Sequence, residues 1–241
     1  MKIGIIGYQR SGKSTLLEWL TGVTADPALS HTSQSAMAVV PEPRVEPLCS
    51  IYKPKKITQA AIELVDTPGL SRDHAGSGAK LALIREAGCL IQVIGAFDGS
   101  NDPAHDLRNL YDDFLLADLE IVTNRVERLR EALKKPRPNR EEQAAELEAI
   151  EPILAHLEAG LPLREMTLRP EQQLAIRSFS LLTQKPRMAI FNLGDDAADA
   201  ERWQALATSE CAVAAVPISF ELELSKMEPD ERDLFRREMG G

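Results

Sequence analysis

A chain of 241 residues, 44% apolar and 27% charged, is long enough to bury one substantial core with an insertion beside it. It contains nothing close to the roughly 18 consecutive apolar residues of a membrane span, and Met1 leads directly into apolar residues without the pattern of a signal peptide, so a cytoplasmic protein with no membrane partner is expected. The net charge of −9 excludes wrapping nucleic acid with the whole surface and leaves only local basic patches for that role.

Residues 2–6 read as a short buried strand, 7–14 as a loop, and 14–20 as a helix with Leu16, Leu17 and Leu20 on its apolar side. Residues 24–36 are small, polar and aperiodic, which predicts a loop; a strand over 37–40 follows, closed by Pro41 and Pro43. The next strand, over 57–65, ends at Asp66, and residues 69–78 lead into a helix over 80–86 and then an apolar strand over 89–94. Between 106 and 160 the pattern changes: Leu115, Leu119, Val122, Val126, Leu129 and Leu133 recur at intervals of 4, 3, 4, 3 and 4, a heptad-like seam. Residues 134–140, with Pro136 and Pro138, break that helix, and Leu147, Ile150, Leu154 and Leu157 resume it as the second arm of a hairpin. Pro152 predicts a bend or break there.

Strands over 189–192 and 213–219 complete the set. Apolar strands separated by helices imply an α/β fold with a largely parallel sheet covered on both faces and a ligand at the strands' carboxyl ends. The expected division is 1–105 with 161–241 as the sheet domain and 106–160 as an inserted coiled-coil arm. Cys49, Cys89 and Cys211 lack metal or disulfide spacing and read as buried small hydrophobes.

Gly7-Tyr8-Gln9-Arg10-Ser11-Gly12-Lys13-Ser14 matches GxxxxGK[ST] between a predicted strand and a predicted helix, the context that motif requires. In such a P-loop the backbone N–H groups of Gln9, Arg10, Ser11, Gly12, Lys13, Ser14 and Thr15 and the helix amino terminus receive phosphates. Lys13 reaches the terminal phosphates, and the Ser14 hydroxyl binds the Mg²⁺ that bridges two phosphate oxygens. Asp66-Thr67-Pro68-Gly69 fits DxxG, with Asp66 reaching Mg²⁺ through water and the Gly69 amide sensing the terminal phosphate. Loop ordering by phosphate and metal is then the switch. Leu70 stands where Ras-like proteins carry a water-orienting Gln; its side chain has no polar group to orient water, which predicts slow hydrolysis.

Asn192-Leu193-Gly194-Asp195 occupies the place of a base-reading NKxD element. Asp195 can accept from both the N1–H and the exocyclic amine of guanine, so the spacing leans toward GTP, with a helix cap as the bland alternative. Ser219 and Phe220 close the last predicted strand, where backbone groups would contact the base. Lys134, Lys135, Arg137 and Arg140 gather at the tip of the arm and could dock RNA phosphates, or form a solvated turn.

Taken with Pro41-Glu42-Pro43-Arg44, Lys53-Pro54-Lys55-Lys56-Ile57, Leu81-Ala82-Leu83-Ile84-Arg85-Glu86-Ala87, Leu116-Ala117-Asp118-Leu119-Glu120 and Leu181-Leu182-Thr183-Gln184-Lys185-Pro186, these motifs resemble the Obg-related YchF family, the Obg-like ATPases, over nearly the whole chain. The resemblance implies a G domain with an inserted coiled-coil arm, hydrolysis of ATP as well as or better than GTP, and association with ribosomes or translation factors. It also implies a following TGS domain, which these residues do not include. The family closes its base-reading motif with Glu, here Asp195, which leaves GTP against ATP open. The loop that carries a histidine implicated in hydrolysis is shorter here, at 98–103, and His74 and His105 read as surface residues. Thr32 is the best candidate for the first switch's metal-binding Thr, with Ser30 and Ser33 beside it. Two functions follow from the residues: a slow Mg²⁺-dependent switch NTPase, or a nucleotide-dependent scaffold with negligible hydrolysis.

Overall fold

Strand order decides where this sheet can receive a ligand. The computed structural model describes residues 1–26, 28, 32–72, 77–99, 102–135, 138–195, 199–209, 211–228, 230–232 and 235. Strand β1 (Lys2–Ile6), an antiparallel edge strand β2 (Gln34–Val39), and the strands β3 (Ala61–Asp66), β4 (Cys89–Ala96), β5 (Arg187–Leu193) and β6 (Ala212–Val216), all parallel to β1, form one sheet in the order β2-β3-β1-β4-β5-β6. The order reverses at β1, so a crevice opens at its carboxyl end. There lies the glycine-rich loop.

Successive side chains leave a strand on opposite faces, and the two cores divide accordingly. Ile3 and Ile5, Ile91 and Val93, and Ile190 pack under α1 (Lys13–Thr21) through Leu16 and Leu17, and under α8 (Ile218–Ser225) through Ile218. Ile6, Leu90, Ile94 and Phe191 meet α3 (Ser77–Ile84) at Leu81 and Ile84, α4 (Pro103–Leu133) at Leu110 and Phe114, and α7 (Ala200–Gln204) at Trp203. No helix among the described residues is long and apolar enough to cross a membrane.

Several expected boundaries move. The edge strand starts at Gln34 because its pairing with β3 runs from Gln34–Asp66 to Val39–Ala61, so the polar stretch before it is shorter than its composition suggests. β3 begins at Ala61, and Ile57 is exposed instead of paired. Residues left without an element form α2 (Val45–Tyr52), whose Leu48, Ile51 and Tyr52 all face solvent. β6 ends at Val216, and Ser219 and Phe220 lie in the first turn of α8, not at a strand end. The three cysteines are half-buried and unpaired, not fully buried.

α4 runs 31 residues from an amino cap in which Asp102 accepts from the N–H groups of Ala104 and His105, with Pro103 at the first helical position. Its first turns belong to the sheet core. Further along, Val122, Val126 and Leu129 pack against Ile150, Ile153, Leu154 and Leu157 of α5 (Arg140–Glu158) and Ile176 of α6 (Pro170–Ile176). Arg125 closes a bidentate pair with Glu146, both contacts at 2.7 Å. Of the bend or break expected at Pro152, the break is absent, because α5 runs unbroken through it. Pro152 and Glu148, whose carbonyl loses its partner, both lie on the exposed side, where water replaces the missing donor.

Where the sheet domain and the helical hairpin meet, Asp118 is fully buried. Its carboxylate accepts from the Leu182 and Thr183 amides at 2.9 and 2.7 Å, from the Thr183 hydroxyl at 2.9 Å and from Arg85 at 2.8 Å. Removing one partner of a buried charged network leaves the rest uncompensated, at a cost of about 3–5 kcal/mol. Asp118→Ala is therefore expected to lower unfolding free energy by about 3 kcal/mol in urea titrations, with Asp118→Asn recovering part of it. A loss under about 1 kcal/mol would assign the network no more weight than a surface pair.

Candidate functional site

The loop after β1 is shaped by backbone requirements. A Cβ on Gly7 would lie 2.3 Å from the Val93 carbonyl oxygen, so a side chain there would push β1 and β4 apart. Gly12 adopts φ 102°, and a Cβ on it would meet Asn192 Nδ2 at 2.3 Å. Arg10 also holds a left-handed φ of 63°. As the residue before α1, Gly12 offers no side-chain cap, so the first-turn N–H groups, which have no helical partner, are left for a ligand.

The DxxG segment is zipped onto this loop. Thr67 donates from its amide and hydroxyl to the Ile5 carbonyl, at 3.3 and 2.8 Å, Leu70 N–H donates to Gly7 at 3.1 Å and Gln9 N–H to Leu70 at 3.0 Å. That brings Ser14 Oγ to 2.6 Å from Asp66 Oδ2, across 52 residues of sequence. Asp66 is buried, and its Oδ1 has no hydrogen-bond partner. Burial raises the Asp66 carboxyl above its usual range, with the Ser14 hydrogen bond and Lys13 opposing. Lys13, 6% exposed, donates to the Tyr8 carbonyl at 3.0 Å. Burial lowers its pKa, with Asp66 opposing. A desolvated ammonium beside a hydroxyl–carboxylate pair is well suited to anionic oxygens and a hard cation.

Two cavities meet at Arg10, Lys13 and Ser14. One, of about 800 Å³, extends past Gln9, Thr32, Asp66 and Gly69. The other, of about 610 Å³, extends past Gly12, Thr15, Asn192, Asp195 and Ser219. Most of the residues expected from sequence thus line two adjoining cavities at the carboxyl ends of the strands. Phe220 stands apart, its ring 5.9 Å from that of Phe235. Ser11 is buried beneath the loop, its carbonyl taken by Asn192. Ser30 and His74 lie outside the described residues, and His105 is exposed on α4, in contact with Asn109 at 3.0 Å.

Asn192 is buried, donates to the Ser11 carbonyl at 3.1 Å and accepts from the Ile218 amide at 3.1 Å. It braces loop, β5 and α8 together. Leu193, 3% exposed, joins the sheet core, so Asp195, exposed at the rim, is left as the carboxylate facing this end of the cavity. Two residues escaped the sequence reading. Phe97, just past β4, lines the same end, and Lys80 on α3 lines the other, its ammonium 2.7 Å from the Gly69 carbonyl. A lysine 11 residues beyond a glycine carries no local signal; helix packing makes the contact. Leu70 is 1% exposed and packed in the sheet core.

A family model described as a 50S ribosome-binding GTPase matches residues 2–125. The ribosome-binding ATPase YchF of Escherichia coli O157:H7 is 30% identical over 99% of this chain and 71% of its own length. The corresponding protein of Haemophilus influenzae is 31% identical with the same coverage. This chain belongs to the YchF family of P-loop NTPases. Obg-like ATPase 1 of Oryza sativa subsp. indica is 31% identical over 96% of the chain and 64% of its own length. The structure of the Schizosaccharomyces pombe YchF GTPase superposes with a TM-score of 0.79 at 24% identity, covering 99% of this chain and 71% of the other, which agrees with the fold.

At the far end of the hairpin, Lys134, Lys135 and Arg140 are exposed, while Arg137 lies outside the described residues. Lys134 pairs with Glu131 at 2.5 Å, and Glu141 and Glu142 open α5, so acid interleaves the cations expected to act together.

The Asn192 brace is open to a direct test. Asn192→Ala leaves the Ser11 carbonyl and Ile218 amide without partners, a cost of about 1–3 kcal/mol. A roughly tenfold loss of affinity for a fluorescent nucleoside triphosphate is expected while the circular dichroism spectrum is retained. Wild-type affinity in the variant would remove the brace from the account of the site.

Proposed function

We propose that this YchF-family protein is a Mg²⁺-dependent switch that binds a nucleoside triphosphate, hydrolyses its terminal phosphoanhydride slowly and acts with ribosomes in the cytoplasm. The observation that carries the reading is the meeting of Ser14 and Asp66 beside buried Lys13. The unpartnered Oδ1 of Asp66 fits a metal or its water shell. Ser14 and Asp66 would hold the ion, with Thr32 completing the first switch. When bound, Mg²⁺ neutralises charge shared by the phosphate oxygens.

This chain's own groups do the rest. The first-turn amides of α1 and the amides of residues 9–12 cradle the phosphates. Lys13 holds charge at the terminal group, Gly69 presents its amide there, and Lys80 fixes the Gly69 carbonyl. Asp195 reads the base, and Ser219 borders it. Leu70, committed to the core, leaves the attacking water without the usual side chain at that position, which is the reason for slow turnover. The hairpin 106–160 is proposed as an inserted arm. Lys134, Lys135, Arg137 and Arg140 at its tip are proposed to meet RNA phosphates.

Ribosome association rests on the names of the relatives, two of them called ribosome-binding ATPases. Phosphate release from purified protein with Mg²⁺ and nucleoside triphosphate is expected to be slow, to rise when ribosomes are added, and to vanish in Lys13→Ala. Nucleotide affinity without release in either condition would turn the reading into that of a nucleotide-dependent scaffold.

Base preference is tested separately. A carboxylate that pairs with both guanine donors discriminates by about 1–3 kcal/mol, so GTP is expected to displace a labelled nucleotide roughly tenfold better than ATP. Asp195→Ala should remove that difference. A wild-type preference for ATP would reassign Asp195 to the solvated rim.

A further inference from the structure

A separate cavity of about 400 Å³ lies beneath α4, toward the amino-terminal ends of β5 and β6 and away from the nucleotide crevice. Its floor is the sheet face covered by α4. Gln92 of β4 lines it, and so does Arg187, the first residue of β5. In the ladder Gln92 lies opposite Ala189, and Leu90 opposite Arg187, so small Ala189 leaves the space above it open between the two polar side chains. α4 supplies the wall with Leu107, Arg108 and Tyr111, and Leu206 closes the other side.

Two donor atoms beside this cavity lack a partner, although the Arg187 side chain also reaches Tyr111 and Cys211. Gln92 is 1% exposed and its Nε2 makes no hydrogen bond, and the Arg187 Nε is likewise buried without a partner. Leaving such a group unsatisfied is costly, and folded proteins rarely retain one without a reason. The Arg187 guanidinium is already oriented, its Cζ 4.2 Å from the centre of the Tyr111 ring, which spares a ligand the cost of ordering it. Arg108 and Arg187 outnumber Asp112 among the charged lining residues. Unmatched donors beside two arginines and one aspartate favour an acceptor that carries negative charge. The leucines and the Tyr111 ring require an apolar body.

We propose that this cavity is a second ligand site, for a small carboxylate on an apolar or aromatic body, with Arg187 and Gln92 as its anchors. The volume suits a small organic molecule, and a planar carboxylate matches the fork of an arginine. The carboxylate lies toward Arg187 and Gln92, and the apolar body lies along Leu107, Tyr111 and Leu206. The ligand thereby rests against the part of α4 that leads into the helical hairpin.

The test uses benzoate as the probe and benzamide as its neutral counterpart, with binding to the full chain followed by ligand-observed NMR. Benzoate is expected to bind saturably and at least about tenfold more tightly than benzamide. Gln92→Leu and Arg187→Met are each expected to weaken benzoate about five- to tenfold. Fluorescent nucleotide should bind both variants as it binds the wild type, which separates loss of this site from loss of the fold or of the nucleotide crevice. Absence of saturation up to about 10 mM, equal affinity for benzamide, or benzoate binding unchanged in both variants would each overturn the proposal.

Discussion

The amide side chain of Asn192 holds three separate stretches of chain at the distances the site requires. It gives one hydrogen to the loop at Ser11 and takes one from the start of α8 at Ile218. Both contacts are buried, where an unmade bond is costly. The loop cannot turn at Gly12 without the space Asn192 leaves, because any side chain at Gly12 would strike its Nδ2. α8 begins immediately after Pro217, and Ile218 has its amide satisfied by Asn192 instead of by the β6 ladder. A residue expected to read a ligand thus has its first role in assembling the walls around it. Asp195, three residues on, is exposed at the rim.

The same economy governs the junction of sheet and hairpin. Asp118 is buried not by an opposing charge alone but by four donors arriving from Arg85, just past α3, and from the turn at Leu182–Gln184. A carboxylate satisfied on both oxygens tolerates burial, and the long helix is fixed at the depth where its packing passes from Phe114 in the sheet core to Val122 in the hairpin core. Apolar packing could slide along a heptad seam by a turn. The geometry of four hydrogen bonds to one carboxylate cannot.

Much of this was legible in the sequence because it is local. The GxxxxGK[ST] spacing, the apolar runs of β1, β4 and β5 and the heptad seam each follow from periodicity or backbone freedom over a few residues. What sequence missed depends on distant partners. β6 looks continuous through Ile218 until Asn192, 26 residues away, captures that amide. The first half of β2 looks like loop because Gln34, Ser35 and Ala36 become strand only through β3. α2 was invisible for a different reason: its apolar residues at 48, 51 and 52 bury nothing, so the helix stripe has no core to answer to. Pro152 reads as a breaker, yet its lost hydrogen bond falls on the wet side of α5. Gln92 and Lys80 gave no pattern at all, since each acquires its setting only from the packing of α4 or α3 over the sheet.

Gly69 lies in a segment with little freedom to move alone. Its neighbour Leu70 is bonded through its backbone to Gly7 and Gln9 and packed by its side chain into the core. Two residues further, Arg72 makes a bidentate pair with buried Asp106 on α4, at 3.1 and 2.8 Å, while its guanidinium lies 5.1 Å from the Tyr8 ring. Burial, with Asp113 and Asp106 nearby, raises the Tyr8 phenol above its ordinary range. A displacement at Gly69 must therefore be absorbed within three residues or carried through Arg72 to α4. The Gly7 and Gln9 bonds and the packing of Leu70 oppose the first course, and the two contacts of Arg72 favour the second. The helix that Arg72 grips is continuous from Pro103 to Leu133 and is held to Arg85 and to the turn at Leu182–Gln184 through Asp118, so the segment after Gly69 is tied to an element that is itself anchored.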